Sequence, residues 1–263
     1  MAFSLPQFNP IRIRSYVLRL PLATRLLLLV IVLFYLASWL FSWLQEWGAL
    51  IPSKVGLATL YRLNTYVFLH VGFFHAFFNL LALTPLLERF ESENGTIVTI
   101  VLFTGPFGLL PGAIYILLER GILRGDVGVQ GSSILVFLLL ASEAVKTYRA
   151  NPHLSIGTYR IPTWTTPLFI VLAVSFIMPN VSLLGHLSGA AIGYAWGFGY
   201  LRFLAPPEKI LRWIEGKLNL LGRLPHYVSV DQKTYGRYGV LPSSTENPRG
   251  AIRLSSPAQR LGP

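Results

Sequence analysis

The chain of 263 residues contains no cysteine, which excludes structural disulfides, thiolate metal sites and cysteine nucleophiles. Any covalent chemistry falls to Ser, Thr, Lys or a carboxylate. Charge is also scarce, at 13% of residues against roughly 25% in an ordinary soluble domain. No Asp stands inside a long apolar run near a histidine, so a serine triad oriented by aspartate has no third member. The sequence shows no internal repeat, which sets aside solenoids and propellers.

What is abundant is apolar surface, 53% of the chain, in runs dominated by Leu, Ile, Val and Phe. Several runs approach the roughly 20 residues a helix needs to cross about 30 Å of hydrocarbon. The composition therefore predicts an all-α integral membrane domain whose partner is the lipid bilayer. The net charge of +11 is gathered in the N-terminal arm, short loops and the C-terminal tail, which sets orientation in a membrane rather than binding nucleic acid.

The pattern divides the chain into a basic cytosolic arm (1–24), a six-helix membrane domain (25–204) and a cytosolic tail (205–263). Six spans are expected, at about 26–47, 66–87, 97–118, 127–144, 167–179 and 181–204. The first is too long for a signal-peptide core and lacks a small-residue cleavage site, so it reads as a retained span. Trp39, Trp43 and Trp47 mark its far interface. Pro106 and Pro111 predict a kink in the third. This topology puts both termini and the loops 88–94 and 146–163 in the cytosol, where it hides the sequon at Asn94. Glu88, Arg89 and Glu91 read as a solvated loop cluster, with an internal tie to a helix as the alternative. In the tail, 209–218 has the pattern of a surface amphipathic helix, and the remainder to Pro263 reads as disordered.

Polar side chains inside spans are costly, so each is a functional candidate. They are His70, His75 and Asn79 in the second span, Gln130, Ser132 and Ser133 in the fourth, and His186 in the sixth. His75 and Asn79 stand four apart on one face, as do Ser133 and Phe137. Gly185, Gly189 and Gly193 form a small-residue stripe that lets another helix approach closely. Ser133 and His186 each follow their span's non-cytosolic start by about five residues, which at 1.5 Å per residue puts both roughly 8 Å deep. A serine and a histidine at one depth on closely packed helices suit general-base activation of a hydroxyl.

These motifs, His70 to Asn79 with His75 between, Gly131-Ser132-Ser133-Ile134, and Gly185-His186 followed by Gly189 and Gly193, together resemble the rhomboid family. The likeness runs over 26–204 and is strongest to the six-span, tail-bearing rhomboids of the fungal Golgi. It implies an intramembrane serine protease without a cofactor, cleaving single-span membrane proteins and releasing membrane-tethered transcription-factor precursors. By position, Ser133 is the nucleophile and His186 the base. His75 and Asn79, with the Ser133 amide, hold the oxyanion. Phe137 packs against the base, and His70 is structural.

The chain departs from the family pattern where Ile134 replaces the usual Gly and where Tyr61-Arg62 stands for a Trp-Arg pair. A register shifted by three puts Gln130 at the nucleophile position, which implies an inactive, derlin-like client binder. A small transporter relaying protons through His75 and His186 is a third reading. Ser132 stays open as a packing serine or an alternative nucleophile. Tyr235 to Leu241 resembles aromatic-glycine motifs that dock on hexameric unfoldases, apart from its glycine spacing. A cytosolic partner of the tail and a lipid-binding basic tail are its two readings.

Overall fold

The computed structural model describes residues 10–178 and 181–233, so the Tyr235 to Leu241 motif and the end of the tail lie outside the described residues. A short helix α1 (Pro10–Val17) leads into α2 (Leu22–Leu40). The first loop folds as α3 (Trp43–Gly48) and α4 (Arg62–Thr65). Then come α5 (Phe73–Asn94), α6 (Thr96–Phe103) and α7 (Pro106–Ile116), the last running on through a wide turn at Leu117–Ile122. A helix α8 (Ser133–Ala150) is followed by an antiparallel hairpin, β1 (His153–Ile156) and β2 (Tyr159–Pro162). The bundle closes with α9 (Thr166–Ile177) and α10 (Leu183–Phe198), and the tail carries α11 (Glu208–Leu218) and α12 (Leu220–Arg223).

The core sits between α8 and α10. Four glycines spaced by four, Gly185, Gly189, Gly193 and Gly197, turn a side-chain-free stripe of α10 onto α8. A Cβ at Gly189 would collide with the Ile134 carbonyl oxygen, and one at Gly193 with that of Leu138. Backbone therefore lies on backbone, the geometry by which small residues join helices where no hydrophobic effect is available. Around this pair, Phe90, Phe103, Phe107 and Trp196 form a cluster of edge-on aromatic contacts. The outer faces are apolar too: Leu26, Leu29, Leu33 and Leu36 of α2 and Phe73, Phe74, Phe77 and Phe78 of α5 are exposed. Helices apolar on both faces need lipid around them.

Two helical rods are long and apolar enough to cross a membrane, Leu22–Leu40 and Thr96–Ile122. A third appears if the pair Leu57–Phe68 and Phe73–Asn94, bent by 80°, counts as one span. α9 and α10, with 12 and 16 residues, are shorter than a standard span.

Several expected boundaries move, each for a visible reason. The first span ends at Leu40 and the chain turns at Phe41, so Trp43 and Trp47 sit on α3. The kink in the third span falls at Thr104 and Gly105, and Pro106 then starts α7, where its missing N–H costs nothing. The segment 88–94 is the last two turns of α5, not a loop. Glu91 is fully buried there, which is the internal tie rather than the solvated cluster. It accepts hydrogen bonds from the amides of Ala23 and Thr24 (2.8 and 2.7 Å) and from the hydroxyls of Thr24 and Thr96 (2.8 and 2.6 Å). A carboxylate here caps the positive end of α2, which has no cap of its own.

The chain between α11 and Lys233 is also not disordered. The Val228 carbonyl accepts from the Thr96 amide (2.9 Å), its amide donates to the Thr96 hydroxyl (2.8 Å), and the His226 carbonyl takes the Leu22 amide (2.9 Å). The tail thus completes the same cap from outside. Beside it, Arg89 and Lys146 bridge Glu93 and Glu143, tying α5 to α8.

Candidate active site

Ser133 is the first residue of α8, and its hydroxyl oxygen lies 3.0 Å from Nε2 of His186, in the first turn of α10. The two meet as expected, but not by descending equal lengths of helix. Val127 to Gln130 is non-helical chain that turns at Gly131 and Ser132, held by a two-way backbone pairing of Val129 with Leu50 (3.0 and 2.9 Å) and by the Gly131 amide on the Tyr66 carbonyl (2.9 Å). That segment drops Ser133 into the bundle and starts α8 there. Being at a helix start, the Ser133 amide has no carbonyl of its own helix to bond.

His186 is buried, and Phe137, one turn after Ser133, packs against its ring at a centroid distance of 4.4 Å. Its Nδ1 has no hydrogen-bond partner, so among the described residues no carboxylate orients the ring. The pair is a dyad held by packing. Ile134 is fully buried, with its Cδ1 3.4 Å from where a Cβ of Gly185 would stand, so the glycine stripe supplies the space that a glycine at 134 would have supplied.

His75 and Asn79 reach the same place from α5. Gly131 adopts φ +123°, and a Cβ there would sit 2.8 Å from His75 Nε2 and 3.7 Å from Asn79 Nδ2. Glycine at 131 thus serves twice: it takes the positive φ and leaves room for the His75 ring. Asn79 is buried and its Nδ2 has no acceptor in the protein. An unspent donor beside the serine is what an oxyanion would take.

His70 lies off the helix, in the extended link before α5, because Gly72 breaks the run. Its Nε2 receives the Ser132 amide (3.2 Å) and lies 3.1 Å from the Ser132 hydroxyl. A backbone N–H can bond only an unprotonated nitrogen, so the His70 proton is on Nδ1. His70 and Ser132 are both fully buried, and the bonds of His70 Nε2 to Ser132 fasten the start of α8, while His70 Nδ1 has no partner. The Ser132 hydroxyl thus lies against His70, and it is the Ser133 hydroxyl that lies against His186. Gln130 lies on the non-helical segment, not at the helix start, and His186 bonds Ser133 instead. In the first loop, Arg62 is buried and donates to the carbonyls of Glu46 and Ala49 (both 2.7 Å), while Tyr61 stacks on Trp47 at 4.7 Å. The Tyr-Arg pair therefore braces α3 against α4.

Two cavities meet at Ser133. One, of about 910 Å³, opens past Glu46, Lys54, Asp126, Gln130 and Ser182. Lys54 donates to Glu46, and Ser53 to Asp126, and these bonds hold both carboxyls below their ordinary range, so the mouth is charged and wet at neutral pH. The other, of about 550 Å³, is apolar and lies between α5 and α9, lined by Phe78, Leu81, Ile170, Val174 and Ile177. His75, Ser133 and His186 border both.

Comparison with known proteins shows the family to which this fold belongs. The Rhomboid domain family matches residues 57–203. Rhomboid-type serine protease B of Aspergillus fumigatus is 61% identical over 262 residues, covering 97% of this chain and 96% of the relative. Rhomboid-type serine protease 2 of Neurospora crassa is 55% identical, covering 97% and 95%. The protein of that name from Saccharomyces cerevisiae is 34% identical, covering 72% and 73%. A membrane-embedded serine facing a histidine, together with this likeness over nearly the whole chain, makes the chain a member of the rhomboid family, a rhomboid-type serine protease.

Proposed function

We propose that the chain cleaves single-span membrane proteins within or beside their transmembrane helix, with Ser133 as nucleophile and His186 as general base. The observation that carries this is the 3.0 Å approach of Ser133 to His186 at the junction of a wet cavity and an apolar one. A transmembrane segment fits the apolar cleft between α5 and α9. Water for hydrolysis fits the other.

Ser133 attacks the scissile carbonyl while its proton passes to His186 Nε2, which later returns it to the leaving amine. The oxyanion is held by the Ser133 amide, Asn79 Nδ2 and His75, with Gly131 giving them room. Phe137, Gly185 and Gly189 keep α8 and α10 at the distance the proton transfer needs, and His70 fixes the start of α8. Water then releases the acyl group.

In this reading α2, α5, the α6–α7 rod, α8, α9 and α10 are the six crossings of a domain spanning 25–204, with α10 extended by the turn at Arg202–Leu204. Lys146, Arg149 and Arg160 near the ends of α8 and the hairpin support a cytosolic location for that side and for both termini. The resemblance of the chain's own motifs to fungal Golgi rhomboids supports Golgi residence and the release of tethered transcription-factor precursors. The test uses purified protein in detergent. A fluorophosphonate probe should label wild type and not Ser133→Ala, and a transmembrane reporter should be cut only by wild type. Labelling that survives Ser133→Ala would move the nucleophile elsewhere. Absence of both signals in wild type would favour a client-binding role.

A further inference from the structure

Three polar atoms at the junction of the cavities are buried without a partner: His186 Nδ1, Asn79 Nδ2 and the Gln130 side-chain oxygen Oε1. The first two belong to the reaction as read above. Gln130 does not: it stands three residues before Ser133, on the non-helical segment, and lines the larger cavity beside Ser133 and His186. A buried acceptor left unmade is unfavourable, so it is retained where something else supplies the donor. The Val129 pairing and the Gly131 amide hold the backbone on both sides of Gln130, which lines the cavity from that fixed position. Ser182 and Gln45 line the same cavity, and its 910 Å³ holds a side chain as well as water.

We propose that Gln130 is a specificity-determining residue, whose carboxamide binds a hydroxyl or amide side chain next to the scissile bond. The preferred substrates are then membrane segments carrying Ser, Thr, Asn or Gln at the cleavage site. This rests on the Ser133–His186 reading. An acceptor of this kind discriminates by leaving itself unpaired against an apolar analogue.

The experiment compares kcat/KM of the full-length protein on transmembrane reporters that differ at residues flanking the cut, as the near-isosteric pairs Asn against Leu and Thr against Val. Wild type should favour the polar member about tenfold, the size of one hydrogen bond. Gln130→Met should remove the preference by lowering only the polar reporters, with fluorophosphonate labelling of Ser133 unchanged. Equal losses on both members, a preference that persists in Gln130→Met, or none in wild type overturns the proposal. If Gln130→Met loses labelling, the wild-type panel alone decides. Cleavage that survives Ser133→Ala instead sinks the dyad, a result separable from every one of these.

Discussion

The two ends of the bundle both bury polar groups, and they treat them in opposite ways. At the end near Glu91 the carboxylate is saturated: it takes four donors from α2 and Thr96, and Thr96 and Leu22 bond the tail in turn. At the end near Ser133 four polar atoms are left open, His186 Nδ1, Asn79 Nδ2, Gln130 Oε1 and His70 Nδ1, while His70 Nε2 is closed on Ser132. Buried donors and acceptors cost stability when unpaired, so the difference separates a region built to hold helices from one built to receive a substrate. Substitutions at the two ends should therefore fail differently, one in activity and one in folding.

The largest effect belongs to the open end. Ser133→Ala or His186→Ala should lower turnover by about 10⁴ to 10⁶-fold, and the double variant should be no worse than either, since residues acting as a unit are not additive. Thermal unfolding of Ser133→Ala should be nearly unchanged, as one hydroxyl contact is lost, whereas His186→Ala also loses the ring's packing on Phe137. A large fall in stability would show the pair to be structural and erase the contrast.

Next, Glu91→Ala at the closed end should cost about 4 kcal/mol of stability, because several buried donors lose their acceptor at once. Glu91→Gln keeps one acceptor oxygen and should fall between. Cleavage per folded molecule, measured well below the unfolding temperature, should stay near wild type. A selective loss of turnover in a stably folded Glu91→Ala would mean the two ends are coupled.

Asn79→Ala should lower kcat by about 10²-fold with little change in KM, the size expected for one oxyanion donor. Because Nδ2 has no partner in the resting protein, thermal stability should hold or rise slightly. A stability loss without a kcat loss would assign Asn79 to packing.

The contrast also explains what was legible in the sequence. Ser133, His186, His75 and Asn79 were visible because a polar residue inside an apolar run is costly, and helical spacing places it on a face. The glycine stripe was visible for the same reason, since its period of four survives in any apolar helix. Glu91 was obscured because a carboxylate at the end of a run looks solvated, and only the fold brings the start of α2 to it. The non-helical segment before Ser133 was read as helix, because hydropathy does not distinguish the two, and the cue to stop is the long-range pairing of Val129 with Leu50. The docking of Val228 likewise depends on a hydroxyl 132 residues away.

The smallest expected effect probes how far the closed network extends into the tail. The Tyr227 hydroxyl donates to Glu215 (2.8 Å), which also accepts the Val230 amide (3.1 Å), so α11 holds the segment that covers Thr96. Burial, then the Glu215 carboxylate, raises the Tyr227 phenol above its ordinary value, which keeps it protonated and donating. Tyr227→Phe removes this bond alone and should cost about 1 kcal/mol, felt locally. Hydrogen exchange at the Val228 amide should speed by roughly fivefold, the Boltzmann factor of that loss, while cleavage is unchanged. Exchange that accelerates equally along α2 would show that the tail clasp and the Glu91 cap open together, extending the closed region from the helix ends into α11.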